Sequence, residues 1–356
     1  MKKISAIVLI VVLAFVGLMH YREPALVESQ NKISQEINHW EHISQYATLR
    51  ISAPGDSSIV MAGVDSIPLW IKDFTSQYRN NGKWDSLIYN ASKGDTILLD
   101  SLAYRLFSFA LYFREYSKGD IDVGIGNLLR AWKIGADQPT QLPSKSQLDA
   151  FVKDLQTPFY VMDSLKRAMV ILKPKHHIAL GAFMEGAILQ HMASVLERNG
   201  AQSYLLEISG DFLYKGVKPN GDPWTLGVKD PANPSELLAV VRTLPQMRSF
   251  CTSGDYEQKF VDKNGKQHHH IFNPRTGESS AGKHSATVST SIPGMNENSL
   301  CTWFMILPLE QIKEKVRESK GKIETILVLD SGKVWISDGF RRSTQLVAPG
   351  YEILSP

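Results

Sequence analysis

Between Cys251 and Gly277 the chain reads CTSGDYEQKFVDKNGKQHHHIFNPRTG, and most of its reactive side chains gather there. Thr252-Ser253-Gly254 reads as a small-residue turn. Its hydroxyls and free backbone suit contact with an anionic oxygen. Asp255-Tyr256-Glu257 and an alternating strand follow, and Asn264-Gly265 is a turn signal leading to a second strand with His268, His269 and His270. Strand alternation puts His268 and His270 on one face and His269 on the other, so all three cannot hold one ion. Asn273-Pro274-Arg275-Thr276-Gly277 closes the segment with one basic side chain. A hydroxyl loop, a histidine and an arginine on one hairpin suit a phosphate-bearing ligand. Plain reverse turns, with Pro fixing φ, account for the same residues equally well.

These side chains must be carried by a larger frame. The chain has 356 residues, enough for one large domain or two small ones, and 43% hydrophobic content is ordinary for a globular protein. A net charge of +3 with no basic block argues against a nucleic-acid binder. Lys2-Lys3 precede an apolar run from Ile4 to Met19, the pattern of a secretory signal peptide or signal anchor over residues 1–22. Residues 23–45 read as a linker or a short helix, and residues 46–356 as the folded domain. Cys251 and Cys301 are the two cysteines; in an exported chain they form one disulfide or stay as buried thiols.

Helical spacing of apolar residues predicts helices over Ile67–Tyr78 and Asp100–Tyr116, and a further helix over Lys145–Leu155. Strands are expected at 168–173, 203–208, 224–229, 236–243 and 285–293. A small-residue turn at Gly181-Ala182 opens a helix to about Asn199, the segment from Asn296 to Thr302 starts an apolar helix to about Leu307, and a terminal hairpin spans 325–354.

TSGDYE, then Gly265-Lys266, His270-Ile271 and Pro274 to Gly277, resemble the central signature of the ApbE family, the FAD:protein FMN transferases. Further matches lie at Ser76-Gln77-Tyr78, Asn90, Gly119, Asp122, Leu128, Trp132, Leu180-Gly181, Glu185-Gly186, Ser209-Gly210-Asp211 and Thr302. The resemblance covers about four-fifths of the chain. It implies an α+β fold of mixed, largely antiparallel sheets flanked by helices. It also implies Mg²⁺-dependent transfer of FMN from FAD to a Ser or Thr hydroxyl of an acceptor protein, with AMP released. By the same resemblance His270 is the catalytic base. Tyr78, Asp122, Glu185, Thr252, Ser253, Gly254 and Arg275 contact the flavin nucleotide, and Ala182, Asn298 and Thr302 bind the metal. Cys251 and Cys301 precede Thr252 and Thr302, which the family brings to one site, so the resemblance makes them neighbours.

Three positions depart from the family's Asp: Ala179, Asn273 and Asn298. A neutral amide is a poorer Mg²⁺ ligand than a carboxylate. Two functions follow: an exported transferase acting on the periplasmic side of the inner membrane, anchored or released; or a non-catalytic relative that binds flavin or a partner protein.

Overall fold

A nine-stranded sheet is the frame of the computed structural model, which describes residues 36–43, 47–133, 142–292 and 297–355, the side chains of residues 297 and 298 left aside. Its strands run in the order Ile37–Ile43, Thr48–Pro54, Tyr204–Ile208, Asp211–Lys215, Arg248–Gly254, Lys283–Thr290, Ile323–Leu329, Lys333–Ile336, Glu352–Ile353. Every neighbouring pair is antiparallel except the last. The fold is therefore α+β with largely antiparallel sheets, as the sequence implied.

Alternation along each strand gives the sheet two different faces. Cys251, Ala286, Val288 and Leu327 point into the larger core with Leu189, Leu300 and Phe304 of the helices. Phe250, Ile326 and Val328 point the other way, into a smaller core with Leu226, Leu238 and Val241. Those three belong to a small sheet of Thr225–Lys229, Leu237–Arg242 and Thr344–Leu346. The helical face carries Ile67–Tyr78, Ser101–Tyr116, Gly181–Arg198, Glu297–Ile306 and Leu309–Glu318. The expected helices over Ile67–Tyr78 and Lys145–Leu155 match to the residue. Ser144 caps the second with Gln147 in a reciprocal box.

Two expectations are corrected. Residues 37–43 of the expected linker form an edge strand paired in full with Thr48–Pro54. Thr252-Ser253-Gly254 is not a turn: it ends the Arg248–Gly254 strand and pairs with Ser285–Thr287. Small residues fit there because a Ser/Thr-rich strand lies alongside. The expected signal segment and residues 23–35 lie outside the described residues. No described helix is long and apolar enough to cross a membrane.

Candidate functional site

Where the Arg248–Gly254 strand ends, it meets the first turns of the Glu297–Ile306 helix. Ser253 Oγ donates to Cys301 Sγ at 3.1 Å and lies 3.3 Å from Thr302 Oγ1. Cys251 and Cys301 are joined in a disulfide with Cα atoms 6.4 Å apart, so the two elements are tied two residues before Ser253 and one before Thr302. The neighbourhood implied for the cysteines is thus present. Ser299, one turn before Thr302, donates its hydroxyl to the Ala182 carbonyl at 2.6 Å. That contact brings in the Gly181–Arg198 helix. Its entry is fixed by Ile178 N–H on the buried Asp85 carboxylate, 2.8 Å, and Ala179 N–H on the Val123 carbonyl, 2.8 Å.

Glu185 stands one turn beyond Ala182 on the same helix face. Its Oε2 is buried and has no hydrogen-bond partner among the described residues. Burial pushes its carboxyl up to about 7. A carboxylate so placed is costly unless a proton or a cation satisfies it.

The rest of the motif sits on turns. Gly254 packs under Tyr256, and a Cβ there would collide with the ring. The backbone then turns: Asp255 N–H donates to the His284 carbonyl, 3.0 Å, and the Asp255 carboxylate meets His284 Nδ1 at 2.8 Å. His284 lies at a bulge in its strand, between Lys283 and Ser285. The predicted hairpin is present as Lys259–Val261 and Gln267–His269, with Gly265 at φ +82°. His270 falls just past its end, with Nδ1 3.3 Å from the Glu257 carbonyl. Burial first, and the neighbouring His269 second, hold the His270 pKa below its ordinary value, which favours the neutral ring. His268 and His269 are both buried: His268 Nε2 is 3.1 Å from Asp262 and His269 Nε2 is 2.9 Å from the Ser280 carbonyl. The strand ends at His269, so the alternation expected to put His268 and His270 on one face does not extend to His270.

Arg275 is held by Asp120 Oδ1 on its Nε at 2.8 Å and by the Lys118 carbonyl at 3.3 Å, with its side chain more than half exposed. The other Asp120 oxygen accepts Trp303 Nε1 at 3.0 Å, so one buried carboxylate links the arginine turn to the helix bearing Thr302. Sequence reading passed over Asp120 and Ser299 and chose Asp122. Asp122 is instead paired with Arg114 and caps the Val123–Ile125 turn through Gly124 N–H, 2.8 Å. Asn273 Oδ1 accepts Arg275 N–H at 2.9 Å, and its carbonyl accepts Gly277 N–H at 2.8 Å. Trp132 Nε1 ties the same turn through the Gly277 carbonyl, 2.8 Å.

Ser253, Thr302, Ala182 and Glu185 therefore belong to two helices and one strand that meet. Thr252 does not join them: alternation turns it to the opposite face, where its hydroxyl is 2.8 Å from Thr287 Oγ1. Tyr78 is buried in an aromatic row with Phe74 and Trp84 rather than presented at the surface, and its hydroxyl has no partner among the described residues. The Asn298 side chain lies outside the described residues. Among the described residues no three His, Cys, Asp or Glu side chains form a metal cluster. The donors present are a carbonyl, hydroxyls and one orphaned carboxylate. That set fits a hard cation that shares its coordination with substrate phosphates, as Mg²⁺ does.

Comparison with known proteins gives a consistent result. The family model described as the ApbE family matches residues 46–327. A FAD:protein FMN transferase of Escherichia coli (strain K12) is 26% identical over 63% of this chain and 64% of its own length. The match thus spans less than two thirds of that relative. A FAD:protein FMN transferase of Haemophilus influenzae is 24% identical over 76% of this chain and 79% of its own length. The crystal structure of the ApbE protein from Thermotoga maritima superposes with a TM-score of 0.76 at 22% identity, over 86% of this chain and 99% of that one. The flavin transferase ApbE from Vibrio cholerae gives 0.71 at 21%, with the same coverage.

Proposed function

The chain belongs to the ApbE family, and from that premise we propose that it transfers FMN from FAD to a Ser or Thr hydroxyl of an acceptor protein, releasing AMP. The observation that carries the reading is the junction of Ser253, Thr302 and Ala182, fixed by a disulfide and a helix-to-helix hydrogen bond. Ser253, Gly254 and Arg275 hold the nucleotide phosphates, the arginine through its exposed guanidinium. The Ala182 carbonyl, Thr302 and Asn298 would hold Mg²⁺, which when bound would supply charge neutralisation at the pyrophosphate. His270, kept neutral by burial, takes the proton of the acceptor hydroxyl. The hydroxyl oxygen bonds to the FMN phosphorus, the bond to the AMP phosphate breaks, and AMP leaves with that electron pair.

The apolar run after Lys2-Lys3 supports export to the periplasmic side of the inner membrane, anchored or released. A disulfide inside the site agrees with an oxidising compartment. Incubating the protein with FAD, Mg²⁺ and a candidate acceptor tests the reading. Flavin fluorescence on the denatured acceptor is the expected result. Asn298 in place of Asp favours the second reading, a non-catalytic flavin or partner binder. FAD binding with no transfer to any Ser- or Thr-bearing acceptor would establish it instead.

A further inference from the structure

Glu185 is the buried carboxylate near the site that the reaction above leaves without work. The helix bearing it is otherwise apolar inward, with Phe183, Ile188, Leu189, Met192 and Leu196 all buried. A carboxylate oxygen in such surroundings with no donor is a standing cost that a proton or an incoming cation relieves. Helix geometry says where that partner sits. Side chains on a helix lean toward its N-terminus, so Glu185 leans over the turn that holds Ala182. The Ala182 carbonyl is the point at which Ser299 docks, one turn before Thr302 on the facing helix. No ion pair satisfies the carboxylate: none of the Lys, Arg or His contacts among the described residues involves Glu185.

We propose that Glu185 is the anionic ligand with which this chain holds a divalent cation, beside the Ala182 carbonyl and the Thr302 hydroxyl. The proposal rests on the flavin-transferase reading for the identity of the cation. It accounts for a chain that carries Asn298 where its family carries Asp. One carboxylate, neutral oxygens and substrate phosphate make a set that Mg²⁺ accepts. Glu185 thereby becomes a ligand rather than a flavin contact.

Mg²⁺ is titrated calorimetrically into the full-length wild type and a Glu185→Gln variant, each saturated with ADP as a pyrophosphate that cannot transfer FMN. Mn²⁺ electron paramagnetic resonance on the same samples counts bound metal independently of catalysis. Glu185→Gln keeps the shape and removes an unpaired charge, so it should fold with an unchanged or higher Tm. The expected result is cation affinity lowered about 10–100-fold or more, with FAD affinity in EDTA unchanged. Wild-type cation affinity in the variant would overturn the proposal. So would a wild type that binds no cation, or a variant whose FAD affinity falls in EDTA, which would make Glu185 a nucleotide contact. A wild type that binds Mg²⁺ through Glu185 yet transfers no FMN leaves this assignment standing and removes the enzymatic reading.

Discussion

Ser253 and Thr302 ride on a sheet strand and a core helix joined by a disulfide, whereas His270 and Arg275 are carried by turns outside the main sheet. The first pair has its spacing set by elements that are buried nearly throughout. The second is placed by backbone carbonyls and one shared carboxylate, Asp120. The difference matches the demands on each half. A phosphate and cation cradle gains from fixed oxygens that need no rearrangement. On the proposed reaction, a proton acceptor would meet the hydroxyl of a second protein that must enter and leave, and a guanidinium on an exposed turn would close on the phosphates of the arriving nucleotide. The sheet half is therefore expected to govern cation affinity, and His270 of the turn half the rate.

The largest effect should come from the turn half. His270→Ala should lower kcat by ~10²–10⁴-fold while calorimetric FAD affinity stays at wild type. In the wild type, kcat should rise with pH along one limb as the ring loses its proton, with a midpoint below the ordinary 6.5 because burial disfavours imidazolium. A midpoint above that value, or full rate in the Ala variant, would take His270 out of the chemistry and erase the contrast between the halves.

Next comes the clamp. The disulfide closes a loop of 50 residues, for which chain entropy gives about 4 kcal/mol. Cys251→Ala with Cys301→Ala should lower the urea midpoint and weaken Mg²⁺–ADP binding more than it lowers kcat at saturation. If rate suffers and affinity does not, the sheet half has been given the wrong task. The smallest effect should be at Asn273→Asp. Its Oδ1 caps the Arg275 amide, which a carboxylate oxygen does equally well, so Tm and kcat/KM should stay close to wild type. A large gain in Mg²⁺ affinity there would show that the turn half reaches the cation after all.

Legibility in the sequence followed how local the signal was. Helices with a 3.6-residue apolar period, such as Ile67–Tyr78, were readable because the pattern is complete within the element. The Ile37–Ile43 strand was not: INHWEHI places Ile37, Trp40 and Ile43 three apart, closer to a helical spacing than to strand alternation. Its conformation comes from Thr48–Pro54, its partner across the sheet. Thr252-Ser253-Gly254 looked like a turn by residue type and became a strand through its neighbours. In the site, Ser253, Thr302, Ala182 and Arg275 were named through family resemblance, and all fall at connected positions. Asp120 was missed because SKGDID offers two aspartates two residues apart. Only tertiary contact decides that Asp120 meets Arg275 and Trp303 while Asp122 meets Arg114. The Asn273 departure looked like lost site charge and is a turn cap.

The edge strand bears on how the protein can be handled. The family match begins at residue 46, after Ile37–Ile43 has already joined the sheet. A chain trimmed to that boundary would lose the cover on Thr48–Pro54 and leave the amides and carbonyls on that side of the strand unpaired, beside Leu49, Ile51 and Ala53. Such an edge templates pairing with another copy. Light scattering of a chain starting at residue 46 should report self-association that a chain starting at residue 36 avoids.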